Sequence, residues 1–531
     1  MFHQLLTPVG GNLLLSFLVA AAPVAVVLVM LGVLRRPAWQ SSLAGVLSAL
    51  AIAVGLWKLP PGLALYSTFA GMMFALWPVM WIVFNSLILY NITLMSGRFD
   101  ALRRWVIDHL PSDKRVVLVV IGFCFGSLLE GVAGFGTPIA ICSALLIALG
   151  FPALEALTFT LIFDTAPVAF GALGVPVTTL AGVTGLPAHD LGSMIGRQLP
   201  FMAFLLPFYV MTLYGGLKSI KALWPVLLVA GGSFSLIQFA VSNYLDYTLT
   251  DVLSSLISLL VTVGFLKVWQ PKADPAYAVA RPEGLATESD VPTWQAWLPW
   301  IGLSLVVILW TTFKIANIGD AKIPWPGLDK AVFITLYDKP YAAVWDFQPL
   351  ATGTAILLSA VLTALSLGVG PKGFFKAVLA SWRQIRLAVL TVALIIGLAY
   401  LMNYSGMTYT LGMAVASVGP AFPMLSAFLG WVAVFLSGSD TSGNALFGNL
   451  QVVAARQLHL NPVLIAATNS SGGVMGKMIS PQNIATGVAV TELKGQEGVV
   501  LARTFKHSII LTLILGLLVM AQQYLVPWMI P

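Results

Sequence analysis

The string LEGVAGFGTPIAI (Leu129–Ile141) interrupts one apolar stretch of membrane length, and FLSGSDTSGNALFG (Phe435–Gly448) interrupts another. Each sets a carboxylate, Glu130 or Asp440, among glycines and hydroxyls where hydrocarbon would otherwise stand. A charge at the centre of a bilayer costs about 2.5–3.5 kcal/mol or more. Irregular backbone at that depth survives only when it is buried in protein or lines a cavity. The pattern predicts a chain that carries something polar across a membrane.

The sequence around these strings supports that reading. Of 531 residues, 59% are hydrophobic and 9% are charged, whereas soluble domains average about 25% charged. Apolar segments of roughly 20 residues recur along the chain, among them Leu13–Leu34, Phe69–Leu94, Ala222–Val241 and Ser508–Tyr524. The expected fold is an all-α polytopic membrane protein of about 12–14 transmembrane helices, with no segment left for an extramembrane domain. The net charge of +7 comes from basic residues in short loops between spans, a positive-inside distribution and not a nucleic-acid footprint. Cys124 and Cys142 both lie in apolar helix and read as packing residues. Leu13–Leu34 has neither a basic flank before it nor a cleavage site, and reads as a permanent span.

Loop charge sets the orientation. Arg35 and Arg36 follow the first span, and Arg98, Arg103, Arg104, Lys114 and Arg115 follow the third. These loops are expected in the cytoplasm, with both termini outside. Asn243–Asp251 has no Lys or Arg and is expected in an outer turn. Residues 270–296 read as a flexible cytoplasmic linker and 317–349 as an external loop.

Two repeats are expected, over 63–214 and 385–524. Gly97 precedes Gly131 by 34 residues, and Gly406 precedes Asp440 by 34. Arg197 follows Glu130 by 67, and Lys506 follows Asp440 by 66. The span before Gly97 exits inside and the span before Gly406 exits outside, so the repeats are expected to be inverted, with discontinuous or re-entrant helices meeting at the midplane.

Four strings carry the candidate chemistry. Glycines 131, 134 and 136 permit unwinding around Glu130, and Thr137-Pro138 can start a helix whose amides point into the gap. A glycine-mediated helix crossing is the structural alternative. Asp164-Thr165-Ala166-Pro167 begins a second break, in which Asp164 is either a satisfied helix cap or a proton-carrying acid. Asp440 can cap the helix that follows and still face a cavity. Lys477, between two apolar segments, either neutralises Asp440 or Glu130 or meets a substrate carboxylate. Arg197 is expected to snorkel at a helix end. No metal-ligand or nucleophile pattern is present, so no enzyme activity, metal site or cofactor is expected.

Taken together, GFCFGSLLEGVAGFGTPIAI (Gly122–Ile141), TAPVAFGALGVP (Thr165–Pro176), GRQLPF (Gly196–Phe201), AGGSF (Ala230–Phe234), GSDTSGNALF (Gly438–Phe447) and GKMISPQNIA (Gly476–Ala485) resemble the L-lactate permease family of bacterial proton-coupled 2-hydroxy-monocarboxylate symporters, which includes glycolate permeases. The resemblance covers nearly the whole chain. It implies a multi-pass protein of the bacterial inner membrane that imports L-lactate, with D-lactate and glycolate as further substrates, driven by the proton gradient. Thr137 stands where the family pattern leads one to expect Ala, and Asp164 where it leads one to expect Asn, which puts strict lactate specificity in doubt.

The expected site follows from the two readings combined. The substrate carboxylate meets helix-start amides around Gly131, Gly134, Phe135 and Gly136 and hydroxyls of Thr137, Thr165, Thr441 and Ser442, with Lys477 assisting. Its 2-hydroxyl bonds Asn444, Ser480 or Gln482. Asp440, Glu130 and Asp164 are the proton-coupling candidates. A sodium-coupled or broader carboxylate carrier is the alternative.

Overall fold

The computed structural model describes residues 1–134, 136–279 and 291–531. Phe135 lies outside the described residues, and so does the 280–290 part of the expected linker. Ten helical segments among the described residues are long and apolar enough to cross a membrane, or eleven when the bent pair Ala153–Phe163 and Val168–Thr184 is included. The longest runs from Ala188 to Tyr244, 57 residues, or about 85 Å at the helical rise, far more than one crossing. It breaks at Gly216, whose φ of 66° and ψ of −171° reverse the chain, so it crosses twice. Two shorter apolar helices, Pro138–Ala148 and Thr352–Ser366, add to the helical body.

The order of elements recurs. In the first half, Trp81–Met95 ends at left-handed Gly97 and is followed by the short helix Arg98–Asp108. A helical hairpin comes next, with Lys114–Val132 ascending and Thr137–Ala148 returning, and then the broken pair Ala153–Phe163 and Gly171–Thr184. In the second half, Pro371–Ser405 ends at left-handed Gly406, followed by Met407–Val415. The second hairpin pairs Phe422–Ser437 with Asp440–Gln457, and the second broken pair is Pro462–Lys477 and Pro481–Ala489. The hairpins enter from opposite faces. The base of the first lies with Phe151 against Tyr214; the base of the second lies where Arg456 covers Tyr337.

Close approach of backbones holds the second half together. A Cβ at Gly430 would collide with the Asn469 carbonyl, one at Gly472 with Ala427, and one at Gly476 with Trp431. In hydrocarbon, where no hydrophobic force drives helices together, small residues that allow close contact are what make packing favourable. Buried hydroxyls turn back to their own helix: Ser86 donates to the Ile82 carbonyl, Thr68 to Ala64 and Ser359 to Ala355. Polar side chains are thus satisfied without leaving the span. Large apolar side chains such as Leu14, Phe69 and Leu305 cover the outside, as lipid requires.

The extramembrane segments depart from the all-helical expectation. Within 317–349, Ala321–Pro324 pairs antiparallel with Val344–Phe347, and Phe333–Ile334 with Lys339–Pro340. Phe2–His3 joins in parallel with Val332–Phe333. The amino terminus therefore lies on the same face as this small β-cap. The carboxyl terminus is tied to the start of Leu199–Tyr244 by Arg197, which donates to the Met529 carbonyl at 2.8 Å and to Asn243 at 2.7 Å. Arg197 thus bridges chain segments and does not snorkel. On the opposite face, residues 270–279 are docked: the Arg115 guanidinium sits 4.2 Å above the Tyr277 ring, and Asp113 forms a β-bridge with Ala278. The helix Thr293–Thr312 begins before the expected end of the linker.

Gly472→Val forces apart the two most closely packed helices of the second half, at about 1–3 kcal/mol for overpacking. The detergent-solubilised variant is expected to melt several degrees below the parent. Gly264→Ala, where a Cβ would meet open space, should melt with the parent.

Candidate functional site

Two hairpin tips and two helix breaks converge on one buried cluster. At the first tip, Gly134 (φ 56°) and Gly136 (φ 80°) adopt left-handed backbone that L side chains rarely tolerate, and the chain re-enters helix at Thr137-Pro138 with proline in the first turn. In the first broken pair, the axis bends by 61°. Ala172, Leu173 and Gly174 are left-handed in succession (φ 45°, 58° and 75°). Such backbone costs about 1–3 kcal/mol per non-glycine residue and persists where function demands a particular path.

Lys477 closes the second broken pair and points at the first half. Its Nζ lies 2.6 Å from Glu130 Oε1 and 3.1 Å from Asp164 Oδ2. Of the readings open for Lys477 and Asp164, the structure places both in an ion pair; Asp164 stands at the C-terminal end of Ala153–Phe163, but its carboxylate caps no helix amide. Asp251 is packed against Gly131, so closely that a Cβ on that glycine would meet its side chain at 2.8 Å. Neither Asp251 oxygen has a hydrogen-bond partner. Asp440, at the start of the second hairpin's returning helix, accepts from Ser470 at 2.5 Å and from Asn444 at 3.3 Å through Oδ2, while Oδ1 has no partner. None of these four acids, nor Lys477, is more than 5% exposed. Two carboxylates therefore share one ammonium inside the membrane body, and two further buried acids, Asp251 and Asp440, lie without a cation bonded to them.

A cavity of about 60 Å³ lies against this cluster. Among the expected residues, Glu130, Gly134, Asp440, Thr441, Lys477 and Gln482 line it, with Gln482 at the exposed rim. Ser480 is buried beside Gly438, its hydroxyl unpartnered. Others lie elsewhere. Gly131 faces Asp251, and Gly136 faces Asn483 and Thr486. Thr165 donates to the Ile162 carbonyl within its own turn. Ser442 offers its backbone amide to the Ser439 hydroxyl that caps the helix. Asn444 belongs to a buried amide network: it donates to the Pro176 carbonyl at 3.2 Å and accepts from Asn469 at 2.9 Å. Asn469 in turn accepts from Gln451 at 2.6 Å.

Some cavity residues escape a reading of the sequence. Asn483 donates to the carbonyls of Gly438 and Lys477, joining the second hairpin tip to the second break; its position beside Gln482 in SPQN was the available signal. Gly171 lets Glu130 approach its backbone: a Cβ there would sit 2.9 Å from Glu130 Oε1 and displace that carboxylate. Asp251 reads as an outer turn from charge alone, yet it lies in the first turn of Thr250–Val268 and is wholly buried. An acid at the head of a predominantly apolar run of membrane length was the signal for it.

Removing one partner from a buried pair costs about 3–5 kcal/mol, because the other charge stays behind. Lys477→Met is therefore expected to lower the folded yield sharply in size-exclusion chromatography of the solubilised protein. Adding Glu130→Gln and Asp164→Asn to the same chain should restore much of it, since the stranded carboxylates are then gone.

The sequence matches the family model described as L-lactate permease over residues 16–526. It is 40% identical over 547 residues to the L-lactate permease of Escherichia coli strain K12, covering 98% of each chain. It is 39% identical over 558 residues to Glycolate permease GlcA of the same strain, again covering 98% of each. The crystal structure of the Alcanivorax borkumensis YdaH transporter aligns with a TM-score of 0.47 at 13% identity, over 86% of each chain.

Proposed function

The chain belongs to the L-lactate permease family, and from that premise we propose that it imports L-lactate together with a proton by alternating access around the cavity between the hairpin tips. It is a multi-pass membrane transporter and not an enzyme. D-lactate and glycolate are the further substrates in this reading, glycolate being the substrate that one relative's name gives.

The observation that carries the proposal is the buried Lys477, held by Glu130 and Asp164, with Asp440 on the same cavity and Asp251 packed against Gly131. So large an excess of acid within a bilayer calls for a bound cation. A proton is the cation proposed here, with sodium as the alternative that the uptake test separates. Lactate brings a carboxylate and a hydroxyl. In the proposed pose the carboxylate meets Lys477 and the amides that begin the helix at Asp440, where the helix dipole favours an anion. The hydroxyl bonds Gln482 or Ser480. The arriving anion competes with Glu130 and Asp164 for Lys477, and Asp440, which lines the same cavity with Oδ1 free, takes up the proton. By linkage, proton and anion then favour each other's binding, and together they cross as a neutral pair.

The recurring element order, with hairpins entering from opposite faces, supports two inverted repeats over 63–214 and 385–524 that rock about this centre. The face carrying both termini and the β-cap is the outer one in this reading, and the face carrying residues 270–279 is cytoplasmic.

Labelled L-lactate uptake into proteoliposomes tests the proposal. Accumulation should follow an imposed pH gradient and persist when choline replaces sodium. Asp440→Asn should bring the accumulation ratio down to about unity while lactate exchange continues. Sodium dependence at a fixed pH gradient would favour the sodium-coupled reading, and unchanged uphill uptake by Asp440→Asn would remove Asp440 as the coupling acid.

A further inference from the structure

A second cavity, of about 540 Å³, opens under the β-cap. It lies on the face assigned above to the outside and shares no residue with the central cavity. Its wall includes Arg456 and Lys339, the buried Asn403 and Asn449, and the tyrosines Tyr404 and Tyr409, with no acidic side chain among them. Arg456 is held in place by the Tyr337 ring, 5.1 Å from its guanidinium carbon. Tyr341 stacks on Tyr404 at 4.0 Å, and Tyr337 meets Tyr409 edge-on at 5.5 Å.

Two helices join this vestibule to the centre. Gly171–Thr184 and Asp440–Gln457 both begin at the central cavity and run side by side: Asn444 bonds the Pro176 carbonyl, and Gly448 packs on Leu180. Both end at the vestibule. Carbonyl groups at helix ends repel anions. Here they are covered by donors: Tyr400 donates to the Gly182 carbonyl at 3.2 Å and Asn403 to the Val183 carbonyl at 3.1 Å. Asn449 donates to Asn403 at 2.9 Å and fixes its orientation. These acceptors are thereby satisfied, while Arg456 and Lys339 put cations at the mouth. Among the residues lining the adjoining cavity the one acid is Asp346, whose carboxyl is pushed up by its hydrogen bond to Asp320.

We propose that this vestibule is a separate outer subsite for small monocarboxylates, in which Arg456 and Lys339 collect the anion before it enters the central cavity. The proposal rests on the transport reading above but concerns capture, not coupling. Cations at a mouth speed association and are weakened by salt, while the later steps are untouched.

The test is initial-rate L-lactate uptake by right-side-out membrane vesicles, with external ionic strength varied. The double variant Arg456→Gln/Lys339→Gln should raise KM about 3- to 10-fold at low salt, keep Vmax per folded transporter, and converge on the parent near 0.5 M salt, where the Debye length is only a few Å. Arg456→Lys/Lys339→Arg, which keeps both charges, should retain a KM near that of the parent. Should glutamine at 456 impair folding, Lys339→Gln alone carries the test, with a smaller rise in KM of the same salt dependence. A KM equal to the parent's at every salt concentration, or a loss of Vmax with KM unchanged, overturns the vestibule. Absence of uptake by the parent vesicles would instead overturn the transport reading.

Discussion

The bond from Lys477 to Glu130 and Asp164 is the contact on which the arrangement depends. It joins the second broken helix to the first hairpin tip and the first broken helix, and so locks the two halves of the chain at their centre. Buried ion pairs contribute little net stability, because desolvation offsets the Coulomb gain. What this one contributes is a single geometry for the tips, and a charge that can be exchanged. A carboxylate substrate is the same kind of partner for Lys477 as the two side chains already bound to it.

The surroundings make that exchange possible. Left-handed Ala172 and Leu173 hold the wall of the cavity in costly backbone beside Glu130. The amide network from Asn444 through Asn469 to Gln451 makes the opposite wall rigid. Between a strained wall and a rigid one, the tips carry glycine at 134, 136 and 438, which can change path at little cost. Asp440, with Oδ1 free, lines this gap, and Asp251 packs behind the first tip against Gly131. Asp251 belongs to the helix Thr250–Val268, outside the hairpins and the broken pairs, so the frame as well as the tips carries buried acid.

Much of this was legible in the sequence. Polar glycine-rich strings stand out against hydrocarbon, which is why both hairpin tips, both breaks and the residues Glu130, Asp440 and Lys477 could be found before any coordinates. Pairing could not be found that way. Nothing local links Lys477 to Glu130, 347 positions away, and the choice between Asp440 and Glu130 as its partner is made only by packing. Asn444 looked free to bind substrate because its type suits that role, yet the folded chain uses it as a strut. Asp251 was misplaced because charge patterning assigns loops to sides and is blind to a turn that folds inward. The β-cap escaped a reading by composition, since its strands are two to four residues long and pair with a distant amino terminus.

Proton uptake on lactate binding tests the central claim most directly. Purified transporter in weakly buffered detergent, with a pH-sensitive dye, is titrated with L-lactate near neutral pH while binding is followed by calorimetry. The account predicts uptake of about one proton for each lactate bound, lost when Asp440 and Glu130 are both made amides. Saturable lactate binding with no proton uptake at any pH would contradict it.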